Sequence, residues 1–275
     1  MAIITISREM GSAGIPIAHM LAEKLGYTLL DGETIKEAAM NYGVSPDALE
    51  NADEKPPAFI EKLDEKAELD LHYIELIILE YALKGNVIIY GRGGQDLLQD
   101  IKSILRVRII APFEERVERW AEREWLDPDL ARIMVRRSDQ QRAGFIKYYF
   151  DRDWEDPLGY DLVINTSKLT EETAVKVICD GVKDQNLVDL KQNCKKKLTN
   201  LILRKKAEIA ILTQDGVDGH HVEITGEDGK IVLSGHVHSD KEKKLSVAAV
   251  QKIDGVKEVV NKLRVIEYRN YPKEH

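Results

Sequence analysis

The stretch that most constrains the fold lies at the start of the chain. A β-branched run, Ile3-Ile4-Thr5-Ile6, leads through Ser7-Arg8-Glu9-Met10 into the turn Gly11-Ser12-Ala13-Gly14, and a helical pattern follows over residues 16–25. Pro16 in the first helical turn has its φ pre-set and sacrifices no needed donor, and Gly26 closes the helix. Strand, glycine turn and helix in immediate succession make an anion site, because backbone N–H groups and the positive end of the helix dipole converge there. Taken alone, Gly11, Ser12, Ala13 and Gly14 suit two readings, a phosphate cradle or a tight strand-to-helix turn. A standard phosphate loop reads G-x-x-x-x-G-K-[ST], with its lysine on the β/γ-phosphates and its hydroxyl on Mg²⁺. Here Gly14 is followed by Ile15-Pro16, so both groups are missing from their usual places.

The alternation continues over residues 1–185. Short apolar runs at 27–30, 87–90, 105–110 and 162–164 read as strands. Residues 34–41, 58–83, 113–125, 129–150 and 171–182 read as helices, and 51–57, ending in Pro-Pro, as a loop. Nearly continuous apolar strands alternating with helices indicate an α/β domain, a parallel sheet with helices on both faces. Residues 186–202 form a basic helical linker with Lys195-Lys196-Lys197. A second unit at 203–270 carries a helix, a strand at 222–225, an Asp228-Gly229 turn, a strand at 230–238, a helix at 240–253 and a strand at 256–267. Asp-Gly between alternating apolar runs is a hairpin signal, so this unit is a small α+β (αββαβ) domain.

Several function classes are excluded by composition. Asp and Glu outnumber Lys and Arg 48 to 40 in 275 residues, a net charge of -8, which argues against a nucleic-acid partner. The two cysteines, Cys179 and Cys194, form no disulfide framework or ligand pattern. The N-terminus has no secretory pattern, and the apolar stretch at 73–83 is interrupted by Glu75 and Glu80 and is too short for a transmembrane segment. A soluble, cytoplasmic protein is the expectation. His236 and His238 share a strand face near His220 and His221, but without a supporting Cys or carboxylate pattern no metal site is expected.

Phosphoryl transfer asks the protein mainly to position phosphates and spread cations over their charge, so the arginines matter. Arg92, in Gly91-Arg92-Gly93-Gly94 after a strand, stands at the carboxyl edge of the sheet, where ligands of α/β folds bind; a surface arginine in a connecting loop is the other reading. Arg132, Arg136, Asp139 and Arg142 share a helix at near-helical spacing, suited either to closing over phosphates or to a solvated face of local ion pairs. Asp31 caps the next helix, accepts from a nucleoside, or does both. Arg8, beside the loop, either replaces the missing cation or pairs with a nearby acid such as Glu9.

The ordered series resembles the cytidylate-kinase-like family, P-loop relatives of the bacterial nucleoside monophosphate kinases, over about residues 1–183. It comprises Ile4-Thr5-Ile6-Ser7-Arg8-Glu9-Met10-Gly11-Ser12-Ala13-Gly14, Leu21-Ala22-Glu23-Lys24-Leu25-Gly26-Tyr27, Leu30-Asp31-Gly32-Glu33, the Gly91-Arg92-Gly93 loop, Asp139-Gln140-Gln141-Arg142 and Tyr160-Asp161-Leu162-Val163-Ile164-Asn165-Thr166. The resemblance implies ATP-dependent, Mg²⁺-assisted transfer to a nucleoside monophosphate, CMP or dCMP. Gly11, Ser12, Ala13, Gly14 and Arg8 would hold ATP, Asp31 and Arg92 the acceptor, and Arg92, Asp139 and Arg142 the catalytic charges. The family's loop continues with Gly-Gly and a basic residue where this chain has Ala13-Gly14-Ile15, which also admits a catalytically impaired nucleotide-binding regulator. Val222-Glu223-Ile224-Thr225, Leu233-Ser234-Gly235 and Gly255-Val256-Lys257-Glu258-Val259 resemble a BON domain. That resemblance implies a sensor or attachment module with a lipid or protein partner.

Overall fold

The computed structural model describes residues 2–44, 54 and 65–266. Of the sequence expectations, the 51–57 loop apart from Glu54, helix residues 58–64 with Phe59 and Leu63, and the chain beyond 266 lie outside the described residues. The chain divides into two compact units, Met1–Cys194 and Lys195–His275.

In the first unit five strands, β1 (Ile3–Arg8), β2 (Thr28–Leu30), β3 (Val87–Tyr90), β4 (Ile104–Ile110) and β5 (Leu162–Asn165), form a sheet of order β2-β3-β1-β4-β5. All neighbours are parallel. β1 is central and its Ile3, Ile4, Thr5, Ile6 and Ser7 are all buried, which is why this strand reads as an unbroken run instead of an alternation. On one face Ile4, Ile6, Val107 and Ile109 pack with Ile17, Ala18 and Leu21 of α1 (Gly14–Leu25) and with Ala174, Val175 and Ile178 of α7 (Glu171–Gly181). On the other, α3 (Glu65–Lys84) packs on β3, and α4 (Gly94–Leu97) approaches so closely that a Cβ on Gly94 would meet Ile89 Cγ2 at 2.6 Å. Three further helices, α2 (Gly32–Met40), α5 (Phe113–Glu124) and α6 (Pro128–Phe150), complete what positions the site, followed by α8 (Gln185–Asp189).

The strand order has a physical consequence. The chain leaving β1 runs outward to β2, whereas the chain leaving β3 crosses to β4 on the other side of β1. Two loops departing in opposite directions open a crevice at the carboxyl ends of β1 and β3, the position where open α/β sheets bind ligands.

The second unit has its own core. α9 (Cys194–Leu212) begins within the stretch read as a linker, continues past it, and buries Leu203, Ala207 and Ile211 against Ile231, Leu233 and Val237 of β7 (Lys230–Val237). β6 (Val222–Glu227) joins β7 through Asp228 and Gly229, whose φ values of 55° and 84° give the twist a two-residue antiparallel hairpin requires. α10 (Asp240–Gln251) then leads back to β7. The single strand expected at 256–267 is two pieces, β8 (Glu258–Asn261) and β9 (Arg264–Val265), both parallel to β7 in one continuous register. They part at Lys262-Leu263, where the Leu263 side chain turns into the core and Lys262 N–H donates to Leu233 O.

Candidate functional site

The loop between β1 and α1 owes its shape to its backbone. Gly11 has φ 81°, and a Cβ there would collide with the Arg116 carbonyl. Ala13 adopts φ 63° at the helix N-terminus, where no side chain caps the opening turn among the described residues. The first N–H groups of α1 therefore remain for an anion. Ser12 holds the loop from within: its buried hydroxyl donates to Glu9 O at 2.8 Å and Ile109 O at 3.1 Å, so the side chain faces away from any ligand.

A carboxylate–guanidinium lattice braces the loop from behind. Asp139, on α6, accepts from Met10 N–H at 3.0 Å and from Arg116 Nη1 at 2.6 Å, while Arg116 Nη1 also donates to Met10 O at 3.0 Å. Glu9 accepts from Ala111 N–H at 3.2 Å and lies 3.2 Å from Arg116 Nε and 3.5 Å from Arg108 Nη2. Burial pushes the Glu9 carboxyl up despite Arg116, the Ala111 N–H and Arg108. Arg108 itself is buried between the rings of Trp154 and Tyr160 and donates to Trp154 O at 2.8 Å.

In front of the loop, three sequence-predicted arginines meet at one carboxylate that sequence reasoning did not single out. Arg8, at the end of β1, lies over the Tyr90 ring at 4.3 Å and donates from Nη1 to Glu54 Oε2 at 2.6 Å and Oε1 at 2.9 Å. Arg142 Nε donates to Glu54 Oε2 at 3.0 Å, and the Arg92 backbone N–H donates to Glu54 Oε1. Burial pushes the Glu54 carboxyl up, but the charges of Arg8, Arg142 and Arg92 outweigh it and hold it down at about 2. Gly14 permits this arrangement, since a Cβ there would meet Arg8 Cβ at 2.9 Å and Tyr90 Oη at 3.1 Å.

Two cavities open beside this cluster. One, of about 490 Å³, follows the glycine loop and takes in Arg8, Gly11, Ala13, Gly14, Trp120 and Arg142. The other, of about 290 Å³, is lined by Asp31, Gly32, Lys36, His19, Arg92 and Glu54. Arg8, Ile15 and Tyr90 belong to both. Asp31 caps α2 by accepting from Thr34 N–H at 3.0 Å and faces the smaller cavity at the same time.

The structure thus brings Arg8, Asp31, Arg92 and Arg142 to the crevice with Gly11, Ala13 and Gly14. It turns Ser12 inward and sets Asp139 against the loop. Arg132 lies apart from this cluster, in a two-pronged exposed pair with Glu114 at 2.6 Å. Of the residues sequence reasoning missed, Arg108 had a signal, a charge inside the largely apolar strand Ile104–Ile110. Tyr90 closes its own apolar strand at the glycine loop. Glu54 sat in a polar stretch with no periodicity to mark it. In the second unit, His221 and His236 stack at 4.4 Å and His238 Nε2 contacts Asp218 Oδ2 at 3.2 Å.

A model described as the cytidylate kinase-like family matches residues 3–168, and one described as the BON domain matches residues 201–267. Among curated relatives, the cytidylate kinase of Methanocaldococcus jannaschii is 29% identical over 184 residues, covering 66% of this chain and 97% of that protein. That of Ignicoccus hospitalis is 30% identical over 180 residues, covering 65% and 97%. A crystal structure of an uncharacterized protein from Eubacterium ventriosum shares the fold, with a TM-score of 0.55 at 24% identity, covering 67% of this chain and 100% of that one.

Proposed function

The chain belongs to the cytidylate kinase-like family and carries a BON domain behind it, and on that premise we propose that it transfers the γ-phosphoryl group of ATP to a nucleoside monophosphate in the cytoplasm. CMP or dCMP is the acceptor of this reading, and the relatives' name, cytidylate kinase, points to CMP. The observation that carries this reading is the pair of adjoining cavities sharing Arg8, Ile15 and Tyr90. A donor phosphate on one side and an acceptor phosphate on the other can then approach in line, and in-line approach under cationic cover is most of what phosphoryl transfer needs.

The fit to ATP rests on the donor cavity itself. The uncapped start of α1 offers N–H groups, and Arg8, Arg119, Arg123 and Arg142 supply positive charge around about 490 Å³, a volume suited to a nucleotide. Arg8 takes the place of the missing loop lysine, because its guanidinium stands at the border across which the phosphoryl group would pass. Arg92 orients the acceptor phosphate, Arg142 reaches from the donor wall to Glu54 on the acceptor wall, and Asp31 receives a hydrogen bond from the nucleoside. Asp139 acts through the loop it holds. Mg²⁺, when bound, would neutralise part of the phosphate charge. Glu9, the loop carboxylate beside this cavity, is already committed to Arg108, Arg116 and Ala111 N–H. Glu122 and Glu171, the other carboxylates on this wall, would be the side chains that hold the metal.

A coupled ADP-release assay across nucleoside and deoxynucleoside monophosphates tests the proposal. Turnover with one acceptor class supports it, and no turnover with any acceptor sinks it. A second reading is favoured by Ile15 standing where the family has a basic residue: a nucleotide-binding regulator that signals or attaches through its BON domain. Tight nucleotide binding without ADP release, together with nucleotide-dependent capture of a lipid or protein partner, would select it.

A further inference from the structure

Glu54 is buried, yet it lies on the wall of a cavity that Arg8, Lys36 and Arg92 line together with Asp31 and Glu33. Both of its oxygens are spent on donors that a phosphate would use: Arg8 Nη1 at 2.9 and 2.6 Å, Arg142 Nε at 3.0 Å and the Arg92 backbone N–H. These donors come from the end of β1, from α6 and from the turn after β3, so they converge on one point from three elements. The turn is shaped for the purpose. Gly91 and Arg92 have φ 72° and 56°, and a Cβ on Gly91 would fall on Glu54 Oε1 and Arg8 Nη1. Donors remain in hand as well, for Arg142 Nη1 is buried and makes no hydrogen bond among the described residues.

We propose that Glu54 is a resident anion occupying the acceptor-phosphate cradle, and that an incoming phosphate monoester displaces it. This rests on the reading of the smaller cavity as the acceptor side. The physical chemistry gives Glu54 a selective role. A carboxylate brings one charge and two oxygens to three guanidinium-bearing residues. A phosphate monoester brings close to two charges and three strong acceptor oxygens, and so takes over the donors with charge to spare. An uncharged nucleoside brings only hydroxyls and leaves Glu54 in place. The cradle thus admits phosphate monoesters and rejects nucleosides before the base is read. A residue that merely braced Arg8 and Arg142 would act in the opposite sense, since its loss would loosen the arginines and weaken phosphate binding.

Calorimetric titration of the full chain with inorganic phosphate separates the two. Only the fraction with the cradle vacated can bind, so Glu54→Gln should raise phosphate affinity at least about tenfold. It should also lower the KM of the acceptor monophosphate more than that of ATP, which shares only Arg8 and Arg142 with the cradle. Unchanged or weaker phosphate binding by Glu54→Gln with an intact near-ultraviolet spectrum overturns the proposal. Should that variant fail to fold, Glu54→Asp decides: it keeps the charge but withdraws it by one methylene, so tighter phosphate binding supports the proposal and equal or weaker binding overturns it. Tighter phosphate binding in a chain that turns over no monophosphate sustains the resident anion and removes the phosphoryl-transfer reading instead.

Discussion

Arg8 joins the two cavities, and its chemistry is separable from its packing. Its stem lies against Gly14 and its guanidinium over Tyr90, so Arg8→Met keeps much of the apolar contact and removes the charge. Loss of a contact to developing phosphoryl charge costs about 3–4 kcal/mol, so the variant should lose about a hundredfold or more in kcat, read by ADP release. Glu54 gives a second residue-scale expectation. Its carboxyl is held at about 2 against an ordinary value of 4.5. A depressed carboxyl stabilises the fold fully above its ordinary value and loses that contribution as pH falls towards the depressed one, here ~3 kcal/mol lost between pH 4.5 and 2. Urea midpoints of wild type should therefore fall more steeply over this window than those of Glu54→Gln; parallel curves would contradict the assignment. At this scale legibility depended on context. Arg8, Arg92 and Arg142 were readable because glycine loops and an ordered motif series placed them, whereas Glu54 gains its meaning only where three elements meet in space.

Among the elements, strands read most clearly. Val87–Tyr90 has the bounds its apolar run implies, as a strand with Val87, Ile88 and Ile89 all buried tends to. The strand expected at 256–267 came apart for a reason local sequence does not carry: Gly235 on β7 has φ 93°, and a Cβ there would fall on the His221 carbonyl, so the hairpin bends opposite the gap between β8 and β9. α2 carries a prediction that separates two roles of one residue. Asp31 caps the helix through Thr34 N–H and also faces the acceptor cavity. Asn caps about as well as Asp, whereas Ala costs about 1 kcal/mol. Asp31→Asn should thus hold the denaturation midpoint near wild type yet raise the acceptor KM, and Asp31→Ala should lower stability as well. If Asp31→Asn leaves the acceptor KM unchanged, the cap is the residue's whole role.

For the whole molecule, the net charge of -8 says little about the site, because Arg8, Arg92 and Arg142 are gathered at one crevice whatever the balance elsewhere. More telling is that each unit encloses a core of its own. Ile4, Ile6, Ile17, Leu21 and Ile178 belong to one, and Leu203, Ala207, Ile231, Leu233 and Val250 to the other. Residues 186–202 read as a basic helical linker because lysines dominate their composition, and the helix that begins there at Cys194 carries on into the second unit, where Leu203, Ala207 and Ile211 bury one face at four-residue spacing. Both cavities are built wholly from residues of the first unit. Since each unit carries its own core and the cavities draw on the first alone, a chain of residues 1–194 should release ADP about as fast as the full protein. Residues 195–275 should melt cooperatively by themselves. A truncated first unit that folds, as judged by circular dichroism, but loses turnover would instead make the second unit part of the catalytic apparatus.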